Sequence, residues 1–171
     1  MNAGLTVFRP RDMSSVVESI EVISLDGTKS VISMSDINFK YRSTDLMDGK
    51  HILMSAVLRL EQLGDPDVIY KNTIQHLRER KRSQPVDKKT AGSIFKTPEG
   101  GNSAWWYIDQ LGLKGYQVGG AVISNKHANW IENTDNATAD DVRRLIDEVI
   151  TRVHAHFGIT LEPEIRYIGG N

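Results

Sequence analysis

The stretch Ile52-Leu53-Met54-Ser55-Ala56-Val57-Leu58-Arg59-Leu60-Glu61-Gln62-Leu63-Gly64-Asp65-Pro66-Asp67 contains a change of period that decides the fold class. Over residues 52–61 the pattern is that of a strand. Ile52, Met54, Ala56, Leu58 and Leu60 fall on one face, with Arg59 and Glu61 on the other. At Asp65 the pattern becomes helical: an aspartate cap, proline at the first helical position and a further acid in the first turn. Tyr70, Ile74 and Leu77 then recur on one helical face. Arg78, Arg80, Lys81 and Arg82 place positive charge at the helix C-terminus, and Pro85 prevents continuation.

Upstream, Ile20, Val22 and Ser24 alternate with Glu21, Ile23 and Leu25. Asp26-Gly27 follows, then Ser30-Val31-Ile32-Ser33-Met34, a hairpin pattern in which both turn positions are expected at positive φ. Downstream, the sequence predicts a short helix over 104–111 stopped by Gly112, and strands over 117–124 and 130–132. A longer helix is predicted over 139–157, with Thr138 as cap and Asp141 in the capping-box position. Its apolar stripe is Val142, Leu145, Ile146, Val149, Val153 and Phe157, and Gly158 ends it. A final strand is predicted at Glu164-Ile165-Arg166-Tyr167-Ile168. Strands, helix, strands and helix in this order give an α+β fold, with a domain boundary that separates 1–64 from 65–171.

The 171 residues suit one domain, or one domain and part of another. Hydrophobic residues are 39%, and 14 glycines bring the share to the globular range of about 45–50%. With 21 basic and 22 acidic residues the net charge is −1, which argues against a dedicated nucleic-acid binder. The absence of cysteine excludes a disulfide frame, a Cys-zinc site and thiol chemistry. No apolar run reaches the length of about 18 residues that a membrane span needs. The start lacks the pattern of a signal peptide, so a cytoplasmic location is the expectation. The Asn136-Ala137-Thr138 sequon reads as incidental.

Several segments bear on chemistry. Ala91-Gly92-Ser93-Ile94-Phe95-Lys96 reads as a small turn carrying one hydroxyl; a ligand-approaching loop is the functional alternative to an ordinary turn. There is no G-x-S-x-G elbow to indicate a hydrolase nucleophile. The glycine-dense stretch from Gly112 to Ala121 has no Walker lysine motif, and turns between short strands explain it better than a nucleotide cradle. His127 stands alone among polar residues, and His51, His76, His127, His154 and His156 form no metal-binding spacing. Tyr41-Arg42 and Glu164-Ile165-Arg166 put a fixed charge next to, or within, a strand, where arginine can hold a carboxylate or phosphate through two hydrogen bonds. The basic run from Arg78 to Lys89 has no interleaved aromatics and reads as a solvated helix end.

Taken together, these segments resemble the UDP-N-acetylenolpyruvoylglucosamine reductase family. They stand in family order: Asn2-Ala3-Gly4, Phe39-Lys40-Tyr41-Arg42-Ser43, Ala91-Gly92-Ser93-Ile94-Phe95-Lys96-Thr97-Pro98 and Ile108-Asp109-Gln110-Leu111-Gly112-Leu113-Lys114-Gly115. Then come Gly119-Gly120-Ala121-Val122-Ile123-Ser124-Asn125-Lys126-His127-Ala128, Asn136-Ala137-Thr138-Ala139-Asp140-Asp141-Val142 and Leu161-Glu162-Pro163-Glu164-Ile165-Arg166-Tyr167-Ile168-Gly169. The resemblance implies the end of an FAD-binding domain of the PCMH type (1–64), then the α+β substrate-binding domain (65–171), whose last strand returns toward the active site. It implies reduction of UDP-N-acetylglucosamine enolpyruvate to UDP-N-acetylmuramate for peptidoglycan and cell-wall synthesis. In the family NADPH reduces FAD, and the flavin passes hydride to the enolpyruvyl group.

The resemblance also assigns residues. The catalytic arginine falls on Arg42, the proton-donating serine on Ser93 and the catalytic glutamate on Glu164. Tyr41, His127 and Arg166 fall at or beside substrate positions, and Asn2, Ala3 and Gly4 at the cofactor. No metal, nucleic acid or membrane partner is implied. Three departures stand out. The family has a further N-terminal portion that makes most of the FAD site, so the FAD site expected here is incomplete and a separate flavin-domain segment is the implied partner. Leu5-Thr6-Val7-Phe8-Arg9-Pro10 replaces the family's glycine-bearing loop after Asn-Ala-Gly. Thr97 stands where the family often carries an amide or basic residue. The expectations left open are a fragment of the reductase, a non-catalytic UDP-sugar-binding derivative and an unrelated interaction module.

Overall fold

The computed structural model describes residues 13–60 and 64–169, and these divide into two units between Ile74 and Gln75. In the first, β1 (Val17–Ser24) is the central strand of an antiparallel sheet in the order β2-β1-β5, with β2 at Lys29–Ser33 and β5 at His51–Leu58. The Asp26-Gly27 hairpin forms, but only Gly27 has positive φ, at 87°. Asp26 instead accepts a hydrogen bond from the Thr28 N–H through Oδ1 at 2.9 Å, and the Gly27 N–H bonds the Ser24 carbonyl. The turn is therefore of the kind that ends in one left-handed glycine, not one with two left-handed positions.

Along β5 the predicted single face is broken. Glu21 faces Ser55 while Val22 faces Leu53, so Met54 is the extra residue of a bulge. Ile52, opposite Ile23, and Ala56, opposite Ile20, consequently lie on different faces of the sheet. The core of this unit is small: Ile20, Val22 and Ile37 are buried, with Val17, Ile32, Phe39 and Leu46 partly covered against them. β3 (Phe39–Lys40) and β4 (Ser43–Thr44) form a minimal hairpin.

Helix α1 runs from Pro66 to Ser83, with Asp65 Oδ1 accepting the Asp67 N–H at 2.8 Å as its cap. Its apolar positions Tyr70 and Leu77 remain exposed. The second unit holds a four-stranded antiparallel sheet in the order β6-β9-β8-β7, from β6 (Thr90–Ser93), β7 (Gln117–Val118), β8 (Ala121–Ile123) and β9 (Trp130–Asn133). The strand expected over 117–124 is thus a two-stranded hairpin turning at Gly119-Gly120. A Cβ on Gly120 would come within 2.2 Å of the Asp135 carbonyl oxygen and 2.6 Å of the Ala137 nitrogen, which is why no side chain fits.

Helices α2 (Ala104–Gln110) and α3 (Ala139–Phe157) complete this unit. The α3 capping box forms in both directions, the Asp141 N–H bonding Thr138 Oγ1 at 3.0 Å and the Thr138 N–H bonding Asp141 Oδ2 at 2.9 Å. These bonds from Thr138 hold the Asp141 carboxyl below its ordinary pKa. Leu145, Ile146, Val149 and Val153 of α3 pack with Ile108 of α2 and with Ile94, Ile123 and Ile131 from the sheet side. The final strand at 164–168 does not form. Pairing there is limited to the Phe95–Pro163 bridge and its flanking hydrogen bonds, beyond which only Ile165 reaches the core while Ile168 is 97% exposed. Among the described residues no helix is long and apolar enough to cross a membrane.

Candidate functional site

Ser93 closes β6, which the sequence alone presents as a turn. Thr90 pairs with Glu132 and Ser93 with Trp130, so β6 carries one residue more than β9 between the two pairs. Gly92, at φ 91°, supplies the left-handed conformation that this bulge needs. The register places Ser93 directly across from Trp130 and on the same face. Ile94 and Phe95, the next two residues, enter the core.

Asn129 holds the segment just beyond Ser93. Its side chain accepts the Phe95 N–H and donates to the Phe95 carbonyl, both at 2.9 Å, while its own carbonyl accepts the Ile94 N–H at 3.0 Å. The buried amide thus continues the ladder where β9 no longer can. On the other side, the Glu164 N–H donates to the Ile94 carbonyl at 2.7 Å and the Lys96 N–H to the Glu162 carbonyl at 2.9 Å. An ion pair between Lys96 and Glu162 ties the same two segments. Glu164 therefore lies across from Ile94, the residue that follows Ser93.

His127 joins them through the loop between β8 and β9. The buried Ser124 hydroxyl accepts the N–H groups of Lys126 at 3.1 Å and His127 at 3.4 Å, and the Trp130 N–H bonds the His127 carbonyl. The half-buried His127 ring stands edge-on to Trp105 at 6.5 Å and Trp130 at 6.2 Å. Burial lowers its pKa, and the Lys114 charge adds to the effect. Its Nδ1 accepts the Asn129 N–H at 3.2 Å, so the neutral ring carries its proton on Nε2 and offers a donor. The Trp130 indole N–H is buried without an acceptor, on the face that carries Ser93. Neither Asn129 nor Trp130 stands out in the sequence. The only signal is a polar amide between two small or apolar residues, Ala128 and Trp130.

Arg166 is exposed, two residues past Glu164, and the neighbouring Tyr167 ring lies under the Arg143 guanidinium at 4.9 Å. Tyr41 and Arg42 belong to the first unit. They do not lie in a strand: they form the turn between β3 and β4, where Phe39 pairs with Thr44 and Lys40 with Ser43. Arg42 has φ 56°, a left-handed conformation that costs a non-glycine residue about 1–2 kcal/mol. Its guanidinium lies 5.6 Å from the Tyr41 ring centre. The cofactor positions Asn2, Ala3 and Gly4 lie outside the described residues.

A dinucleotide cofactor needs a run of backbone donors or a helix N-terminus for its pyrophosphate. The cavity of about 450 Å³ in the first unit is lined by Ser15, Val17, Glu18, Ser33, Met34 and Arg59 among others, and Arg59 is already paired with Glu18 at 2.9 Å. That cavity has no glycine turn and no α-helix end, so its lining offers no pyrophosphate cradle. No group of three or more His, Cys, Asp or Glu among the described residues could hold a metal.

These features define an α+β protein whose second unit carries Ser93 at the end of β6, the Glu164 segment hydrogen-bonded to Ile94 beside it, and His127 in the β8–β9 loop. Comparison with known proteins narrows that class. Residues 84–168 match the family model for the UDP-N-acetylenolpyruvoylglucosamine reductase C-terminal domain. A UDP-N-acetylenolpyruvoylglucosamine reductase of Synechococcus sp. (strain JA-3-3Ab) is 38% identical over 169 residues, covering 99% of this chain and 53% of that protein. One from Anaplasma marginale is 40% identical over 158 residues, covering 92% and 52%. The crystal structure of the Thermus caldophilus UDP-N-acetylenolpyruvylglucosamine reductase matches with a TM-score of 0.75 and 37% identity, over 97% of this chain and 57% of that one. Residues 84–168 are therefore a UDP-N-acetylenolpyruvoylglucosamine reductase C-terminal domain by family match. The chain spans about half the length of the curated relatives it matches.

Proposed function

We propose that this chain provides the substrate-binding domain, and the closing segment of the flavin-binding domain, of an NADPH- and FAD-dependent oxidoreductase. It would convert UDP-N-acetylglucosamine enolpyruvate to UDP-N-acetylmuramate in peptidoglycan synthesis. One observation carries the proposal. The Glu164–Ile94 hydrogen bond links the segment of Glu164 to the end of β6 next to Ser93, two residues to which the family resemblance gives roles.

FAD, when bound, supplies the hydride chemistry; the residues of this chain supply the rest. Ser93 delivers a proton to the carbon that becomes carbanionic. A serine hydroxyl is a poor acid near neutral pH, so its competence comes from being held against a strongly basic carbon, and the Gly92 bulge and Asn129 clamp hold it. Arg42 stabilises negative charge beside the substrate carboxylate, and Glu164 polarises the intermediate. The Nε2–H of His127 donates to the substrate without adding charge, with Tyr41 and Arg166 contributing further contacts. The domain assignment, 1–64 and 65–171, and a cytoplasmic location belong to the same proposal.

The test follows NADPH oxidation that depends on the enolpyruvyl substrate, with the chain joined to the part of the Synechococcus reductase that it does not match. Ser93→Ala should lower turnover by about 10²–10⁴-fold with substrate affinity retained. Unchanged turnover would remove Ser93 from the reaction.

A further inference from the structure

Three residues of the second unit stand in one row across its sheet, on the same face. Ser93 pairs with Trp130 from the β6 side. Ser124, whose N–H donates to the Trp130 carbonyl at 2.8 Å, stands beside it on the β8 side. Directly opposed residues on one face have Cβ atoms about 4.5–5.5 Å apart, within the span of an indole. The Ile94 N–H bonds the Asn129 carbonyl, so Ser93 and Trp130 form a pair without hydrogen bonds between their own backbones. Side chains lie closer in pairs of that kind.

Trp130 is 7% exposed, and its indole N–H has no acceptor among the described residues. A buried donor left unpaired is costly, and native interiors avoid it. Two hydroxyl oxygens flank the indole. Ser124 Oγ already accepts the Lys126 and His127 N–H groups, which fills its two lone pairs. Ser93 Oγ accepts no hydrogen bond among the described residues and keeps both lone pairs.

We propose that Trp130 is a positioning residue whose indole N–H donates to Ser93 Oγ as that oxygen gives up its proton. The proposal rests on the proton-donor role given to Ser93 above. In that step the Ser93 O–H bond breaks, and its proton forms a C–H bond with the electron pair of the carbanionic carbon. The O–H electron pair stays on Oγ as an alkoxide. The indole keeps its own proton and hydrogen-bonds the new charge, and water later returns a proton to Oγ. Hydrogen bonds to a charged acceptor are stronger than those to a neutral one, so the indole acts most where charge develops.

The test uses the absence of cysteine from the chain: Ser93→Cys introduces a single thiol at this position. Its thiolate fraction is followed against pH by ultraviolet absorbance and alkylation rate, in the full chain without substrate or cofactor. A donor aimed at the sulfur favours the thiolate, so adding Trp130→Phe should cut the thiolate at a given pH by about three- to tenfold. An unchanged thiolate fraction would overturn the proposal. Because Trp130→Phe can disturb packing, the Trp130 indole proton is followed by NMR through the same titration in the Ser93→Cys chain. It should move downfield as the thiol ionises, and a resonance indifferent to the titration would also overturn the proposal. In the joined form used for turnover, Trp130→Phe should lower kcat by about tenfold with KM unchanged, and should add no further loss to Ser93→Ala. The same loss in both backgrounds would contradict action through Ser93. A thiolate that depends on Trp130 while turnover ignores Ser93→Ala would sink the proposed function and leave the contact standing. Turnover that needs Ser93, with a thiolate indifferent to Trp130, would do the reverse.

Discussion

The two units bury their apolar residues to very different extents. In the second, fifteen described residues form one buried cluster between sheet and helices, among them Leu145 and Val153 at 0% exposure. In the first, three residues are buried, and a strand of nearly unbroken apolar character stays open to solvent. Both sheets are antiparallel, so strand pairing does not separate them. What separates them is cover: α2 and α3 close one sheet face in the second unit, while among the described residues β5 has no layer over either face. A unit that closes its own core can present a preformed site.

The largest effect expected from this contrast is in core truncation. Leu145→Ala should destabilise the second unit by about 2–5 kcal/mol, whereas Leu53→Ala should change the stability of the isolated chain by less than about 0.5 kcal/mol, both read by urea unfolding. Equal losses would erase the distinction. Next in size, Asn129→Ala strips the buried Phe95 N–H and carbonyl of their side-chain partners. It should cost about 1–3 kcal/mol for each group left unsatisfied and loosen the Ser93 strand end, seen as faster amide exchange at 94–95. A smaller effect, about 1 kcal/mol, is expected for Thr138→Ala, which removes the α3 cap and should appear in the second unit's transition alone.

The same contrast has a pH component. His127 has a folded pKa below its ordinary value of 6.5 because burial penalises the charged ring. As pH falls below that ordinary value, the unfolded chain takes up the proton before the folded one does, so folding weakens from there down through the folded pKa. Unfolding midpoints of the second unit should therefore drop between pH 7.5 and pH 5.5. His127→Gln should flatten that dependence.

The sequence discloses elements whose signals are local. The α3 helix is legible because cap, capping box, stripe and terminal glycine all agree within one segment, and the β1–β2 hairpin because Asp26-Gly27 sits between two alternating runs. Elements that depend on a partner far away in sequence are not legible. β6 looks like a turn because Gly92 breaks the strand pattern, and only pairing with β9 turns that break into a bulge. The Met54 bulge redistributes the faces of β5 for the same reason. Residues 164–168 alternate like a strand, but a ladder needs a neighbour, and beyond Glu164 none is in place among the described residues. The site obeys this rule too. Residue types at Ser93, His127 and Glu164 are visible in the chain, whereas the Ser93–Trp130 register and the Asn129 clamp exist only after β6 and β9 meet.

The decisive measurement is a backbone NMR titration of the 171-residue chain with UDP-N-acetylglucosamine enolpyruvate. Saturable shifts from the UDP-sugar centred on Ser93, His127 and the 162–164 segment are expected. A chain that binds the UDP-sugar without moving those residues would contradict the proposed site.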